Sequence, residues 1–261
     1  MAELRVLFLS LFVLLCNSVA EADTIDIREA YRYFELRAEN ARECIADPSN
    51  IDLSIYHFKK VVDNQARPDA DAVEGLLKAY EFKGVRTDVS QDEKVKIFEK
   101  GIDLGEKMMK IYPEHSGIKY WYMANLGRWA QEVGVMKAAR AHVASEVKEI
   151  AEWLIENDPL YDEAGPYRVL GTMNIELPRI PFVLSWPSDS DGLALLKKAY
   201  ELAPQHYGNS LRYARALIKE GYEDEARALL TAIEDSSPRK STYLEDLDNL
   251  NEASKLLAKL K

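Results

Sequence analysis

Cysteine is nearly absent. The 261 residues hold two, Cys16 and Cys44, so a disulfide framework cannot staple this chain and its stability must come from packing. Positive charge is also short, and a net charge of −10 argues against a nucleic-acid partner, which normally meets a basic surface. The four histidines, 57, 115, 142 and 206, show no paired-ligand spacing, so the sequence indicates no metal. There is no Gly-rich phosphate loop, and Ser145, Ser210 and Ser241 lack the context of a nucleophile elbow. No cofactor is implied and no catalytic residue stands out, so an enzyme is not expected. Sustained apolar–polar alternation is missing too, which excludes a sheet.

What remains is a helix-rich chain, 47% hydrophobic and 30% charged, a balance that excludes disorder. Residues 1–22 read as a signal peptide. Arg5 supplies a weak basic start, the apolar run through Leu15 is too short to span a bilayer, and Ala20-Glu21-Ala22 is a cleavage pattern. Cleavage after Ala20 or Ala22 exports the protein to a periplasm. A retained anchor and lipid attachment at Cys16 are the alternatives, and Leu15 in place of a small residue disfavours the second. No later segment is apolar enough to cross a membrane. Cys44 falls in an amphipathic run and reads as a buried small hydrophobe.

Residues 23–261 read as a single domain. Prolines close its helical runs: Pro113, Pro159, Pro204 and Pro238. The last two are 34 residues apart, the period of a tetratricopeptide (TPR) repeat. The predicted class is all-α, an α-solenoid of degenerate TPR-like helix pairs that stack because no repeat buries its apolar face alone. Helices are expected over 26–46, ended by Asp47-Pro48, and from an N-cap at Asp52. Others are expected over 69–83, stopped by Gly84, and from the capping box Ser90-Gln91-Asp92-Glu93 to Ile111. A pair over 116–157 is split by Gly134, and its second helix is about two turns longer than standard. Helices over 162–176, 190–202, 207–220, 223–234 and 241–260 complete the chain. The three prolines in 177–187 interrupt one repeat. The N-terminal pair and the final helix are expected as end caps.

The segment 121–129 is unusually aromatic. Trp121, Asn125 and Arg128 share a helix face at i, i+4, i+7, and Tyr122, Leu126 and Trp129 share the next. The second set reads as core. The first suits a ligand with an anionic head and an apolar body, because arginine pairs bidentately with a carboxylate. The alternative is a structural Arg128, paired to a helix end or to Glu132. Tyr167 and Arg168 lie on the next repeat's first helix, so Arg168 can face the same cavity. Phe182 and Trp186 are candidates for its lid, or for covering a helix flank.

The string Asn125-Leu126-Gly127-Arg128-Trp129 carries a resemblance, together with Asn157-Asp158-Pro159, Tyr167-Arg168-x-Leu170-Gly171 and the Pro-rich interruption. The chain resembles the T-component proteins of TRAP transporter systems over about 70–260. That resemblance implies a periplasmic TPR-like protein that partners a substrate-binding protein, with a cavity through the bundle for a small apolar organic acid. It also implies a homotrimer in some members. The poor lipid-attachment motif at Cys16 departs from the pattern. A weaker resemblance is to eukaryotic regulators of microtubule dynamics, against which the export signal argues. The competing functional class is a protein-interaction scaffold with no small-molecule ligand.

Overall fold

The structure is a computed structural model that describes residues 24–63, 65–140, 142–179 and 184–260. The expected leader, Cys16 and Phe182 lie outside these. Residues 24–35 are helical (α1). The helices α2 (Pro48–Val62), α3 (Ala70–Arg86), α4 (Gln91–Met109), α5 (Ser116–Val133), α6 (Val135–Arg140) and α7 (Val143–Asn157) follow. Then come α8 (Tyr161–Glu176), α9 (Asp189–Leu202), α10 (Tyr207–Lys219), α11 (Glu223–Glu234) and α12 (Tyr243–Lys259). Among the described residues there is no strand, only isolated bridges such as Ala46 to Thr87. No helix among them is long and apolar enough to cross a membrane.

Local chemistry sets the boundaries. Ser90 and Glu93 form the expected capping box, each side chain accepting the other's backbone N–H. Asp47-Pro48 starts a helix and does not merely end one. The Asp47 carboxylate accepts the Ser49 N–H at 2.9 Å, and Pro48 sits in the first turn, where its missing N–H costs nothing. The first helix accordingly stops at residue 35 and turns. Gly84 does not stop α3, which runs on to Arg86. It lies inside the helix because the Phe98 ring packs on it, and a Cβ there would come within 2.4 Å of that ring. Gly134, at φ +82°, ends α5 as expected, but the long second helix is broken again at His142, whose φ is +57°.

The cores follow one another around the molecule. The first joins α1, α2 and α3 through Ile51, Phe58, Leu76 and Leu77. The second joins α4, α5, α7 and α8 through Phe98, Tyr122, Trp129 and Leu154. The third joins α9, α10, α11 and α12 through Leu196, Leu217, Leu230 and Ala253. The two ends do not cap separately. Helix α12 gives Ala253 to the last core and Leu244 to the first, so the solenoid closes into a ring. Arg37, buried between the Phe34 and Phe82 rings, donates to the Ser241 carbonyl at 2.5 Å. Arg86 meets Asp248 at 2.9 Å, and Cys44, only half-buried, accepts from Asn251 at 3.4 Å.

Leu244 is fully buried, so truncation to alanine should cost about 2–5 kcal/mol. Urea unfolding of Leu244→Ala measures the cost. Hydrogen exchange should show protection falling in α1–α3 as well as in α12; a loss confined to α12 would contradict ring closure.

Candidate functional site: the central chamber

The first helices of successive pairs, α3, α5, α8 and α10, face inward with α12 and line a partly open chamber of about 1910 Å³. This exceeds the roughly 300–1,000 Å³ of ordinary small-molecule pockets. Part of its wall is apolar, from Val85, Met123, Val147, Val169, Met173 and Leu211. Much of the rest is charged: Arg128, Arg168, Arg212, Arg215 and Arg239 line it, among carboxylates that include Glu81, Asp162, Glu176 and Glu252.

Arg168 anchors the wall. The backbone of Asp162, Glu163 and Ala164 is left-handed, at φ 50°, 53° and 64°. Three successive non-glycine residues there carry strain of about 1–2 kcal/mol each. Arg168 holds this turn by donating to the Asp162 carbonyl at 3.3 Å, the Glu163 carbonyl at 3.4 Å and the Asp162 carboxylate. It also donates to the Tyr120 hydroxyl at 3.0 Å and to Asn209 Oδ1 at 2.8 Å. Tyr120 in turn donates to Asp162 at 2.7 Å, and Asn209 donates to the Glu163 carbonyl at 3.0 Å. Gly165 allows the approach, since a Cβ there would come within 2.5 Å of the Tyr120 hydroxyl. Burial works against the Arg168 charge, but Tyr120 and Asp162 more than offset it and hold the guanidinium above its ordinary value.

The eight candidates from the sequence divide. Trp121, Arg128 and Arg168 meet at the chamber. Trp121 donates from its indole to the Tyr161 hydroxyl at 2.9 Å, and Tyr161 donates to Glu74 at 2.7 Å. Arg128 pairs with Glu81 on α3 at 2.9 Å, neither with a helix end nor with Glu132. Asn125 is fully buried, donating to the Leu77 and Trp121 carbonyls and packing on Gly101. Helical spacing places it beside Trp121, but α3 and α4 cover it there. Tyr122 is core, and its hydroxyl donates to the Glu146 carboxylate. Tyr167 packs on Ala164, Ala199 and Ala203. Trp186 lies against the second core with Lys148 beside its ring, so it covers a helix flank.

The sequence reading missed Arg212, His206, Asp162, Tyr120 and Asn209. One signal was present: Pro113-x-His115-x-Gly117 recurs as Pro204-x-His206-x-Gly208. Both histidines N-cap the following helix, Nδ1 accepting a backbone N–H at 3.3 Å. The cap places the remaining proton of neutral His115 on Nε2, which faces Asp71 at 3.7 Å. Asp71, Glu74 and His115 bring their donor atoms within 4.8 Å of one another, but a ring nitrogen that caps a helix is not free to take a cation.

Burial first, then Arg168, Arg239 and Arg212, push His206 down to about 2. The Arg212 guanidinium is pushed down to about 10, by burial and then by Arg168 and Arg128. Its Nη1 donates only to the Gly208 carbonyl at 3.4 Å, and no carboxylate of the described residues ion-pairs with it.

The tetratricopeptide-repeat family matches residues 190–245, from α9 to the start of α12. No curated protein matched the chain. With the helical architecture, the match makes this chain an all-α solenoid of TPR-like helix pairs.

Unfolding frees His206 to titrate near 6.5, while the folded ring stays neutral far below that. The unfolded chain then binds the extra proton, so this residue's contribution to stability falls as pH drops below 6.5. The slope approaches about 1.4 kcal/mol per pH unit. Urea midpoints at pH 7.5 and 5.5 should converge in His206→Asn, which keeps a capping side chain; an unchanged difference would contradict this.

Proposed function

We propose that the protein is a non-catalytic, exported binding protein, an accessory of TRAP-type organic-acid uptake. Its chamber receives a small organic acid with an apolar body, and its outer surface meets a periplasmic substrate-binding protein. The observation that carries this reading is closure of the ring. Leu244 and Arg37 join the first and last helices, so the surface that an open solenoid offers to a partner becomes the wall of a chamber. That wall combines apolar side chains with Trp121 and several arginines, which suits an anionic head on an apolar body. The resemblance of 121–204 to the T-component proteins supports the transport role and the substrate-binding protein as partner. A homotrimer belongs to the same reading.

A second reading, a protein-interaction scaffold without a small-molecule ligand, is favoured by two observations. The matched repeat at 190–245 is a family associated with protein partners. Arg128 and Arg168 already pair with Glu81 and Asp162, so two of the candidate anion contacts are engaged within the fold.

Native mass spectrometry of the protein purified from its own periplasm separates the two. The transport reading expects a small acid bound in fixed stoichiometry. An empty chain that carries only a protein partner would favour the scaffold.

A further inference from the structure

Four arginines line one region of the chamber, on α5, α8 and α10, and their pairing is unequal. Arg128 pairs with Glu81, and Arg168 with Asp162. Arg215 meets Glu252, with Glu176 at 3.8 Å. Arg212, one helical turn from Arg215, ion-pairs with no described carboxylate and reaches only the Gly208 carbonyl. It lines the chamber half-buried, with its neighbour Leu211 in the same wall.

A guanidinium withdrawn from water without a counter-ion destabilises the fold that holds it. The depression of its pKa by burial and by Arg168 and Arg128, only partly offset by Glu176, reports the same cost. His206, capping the same helix, is neutral and brings no compensating negative charge. Such a cost is characteristic of a binding position, where a ligand supplies the missing partner.

We infer that Arg212 is the anion seat of the chamber and that it takes a single carboxylate on an otherwise apolar body. The unequal pairing sets the class. Arg212 is the one guanidinium of the four with no described carboxylate at ion-pair distance, so it can take one negative charge. A second charge on the ligand would face the carboxylates of Glu81, Asp162, Glu176 and Glu252. Dicarboxylates and phosphate are therefore poor fits, and the apolar wall of Val147, Val169, Met173 and Leu211 is left to cover the body. This inference rests on the reading that the chamber takes a small acid.

Isothermal titration of the purified protein with octanoate, suberate and inorganic phosphate tests it, alongside Arg212→Gln and Arg212→Lys. Octanoate should bind the native chain at least about tenfold more tightly than suberate or phosphate. Arg212→Gln should lose about tenfold or more, the value of a charge-assisted contact. Arg212→Lys should retain part of the affinity, since it keeps the charge but not the bidentate fork. Arg212→Gln should also melt no lower than the native chain, because it removes an uncompensated charge. A structural arginine would show the reverse, a lower melting temperature. Octanoate binding unchanged in Arg212→Gln would overturn the seat and leave the chamber reading standing. Suberate or phosphate binding as tightly as octanoate would overturn the single-carboxylate class. Native protein that takes none of the three would sink the chamber reading and the seat with it.

Discussion

A buried guanidinium holds this ring in shape. Arg168 sits where α5, the 162–164 turn and α10 meet, and it bonds to all three. Taking an arginine out of water costs several kcal/mol, and only near-complete satisfaction offsets that. Here Asp162 supplies the counter-charge, while Tyr120, Asn209 and two backbone carbonyls accept further bonds from the two terminal nitrogens. The bonds to those carbonyls also stabilise a left-handed turn that three L-residues would otherwise avoid. That turn interrupts the start of α8, ahead of the stretch from which Arg168, Val169 and Met173 line the chamber. The strained backbone and the buried charge thus depend on each other.

The contrast with Arg212 is chemical. Both arginines line the chamber, and both lose hydration. One is ion-paired within the fold; the other reaches only the Gly208 carbonyl and ion-pairs with no described carboxylate. Within one helical wall the same side chain serves as a structural tie in α8 and as an open contact in α10. Ring closure makes the second possible, because α12 carries Leu244 to the first core and thereby surrounds the space into which Arg212 projects. The uptake role proposed for the protein draws on that part-apolar, part-charged volume.

Much of the architecture was legible in the sequence, and the misses have physical reasons. The capping box at Ser90 and the glycine breaks at Gly134 and Gly221 are local chemistry, and the structure keeps them. The dipeptide Asp47-Pro48 is ambiguous by nature, since a proline that cannot continue one helix is well suited to begin another. Gly84 misled because a glycine can serve close packing as well as termination, and only the neighbour Phe98 decides between them. Ring closure was not legible: Leu244 and Arg37 look like ordinary residues of terminal repeats, and their meeting depends on the summed curvature of every pair between them. At the chamber, helical spacing placed Trp121 and Arg128 correctly on one face. It could not say that α3 and α4 would swallow Asn125 between them, because periodicity specifies direction and not what lies there. Arg212 escaped notice because it sits in the segment that best fits an ordinary repeat.

The most direct measurement is hydrogen exchange on Arg168→Met, which removes the charge and keeps much of the volume. If Arg168 ties the three elements together, protection should fall in the N-terminal half of α5, in the 162–164 turn and in the first turns of α10, while α2 and α11 stay protected. Loss confined to α8, with α5 and α10 unchanged, would contradict the account.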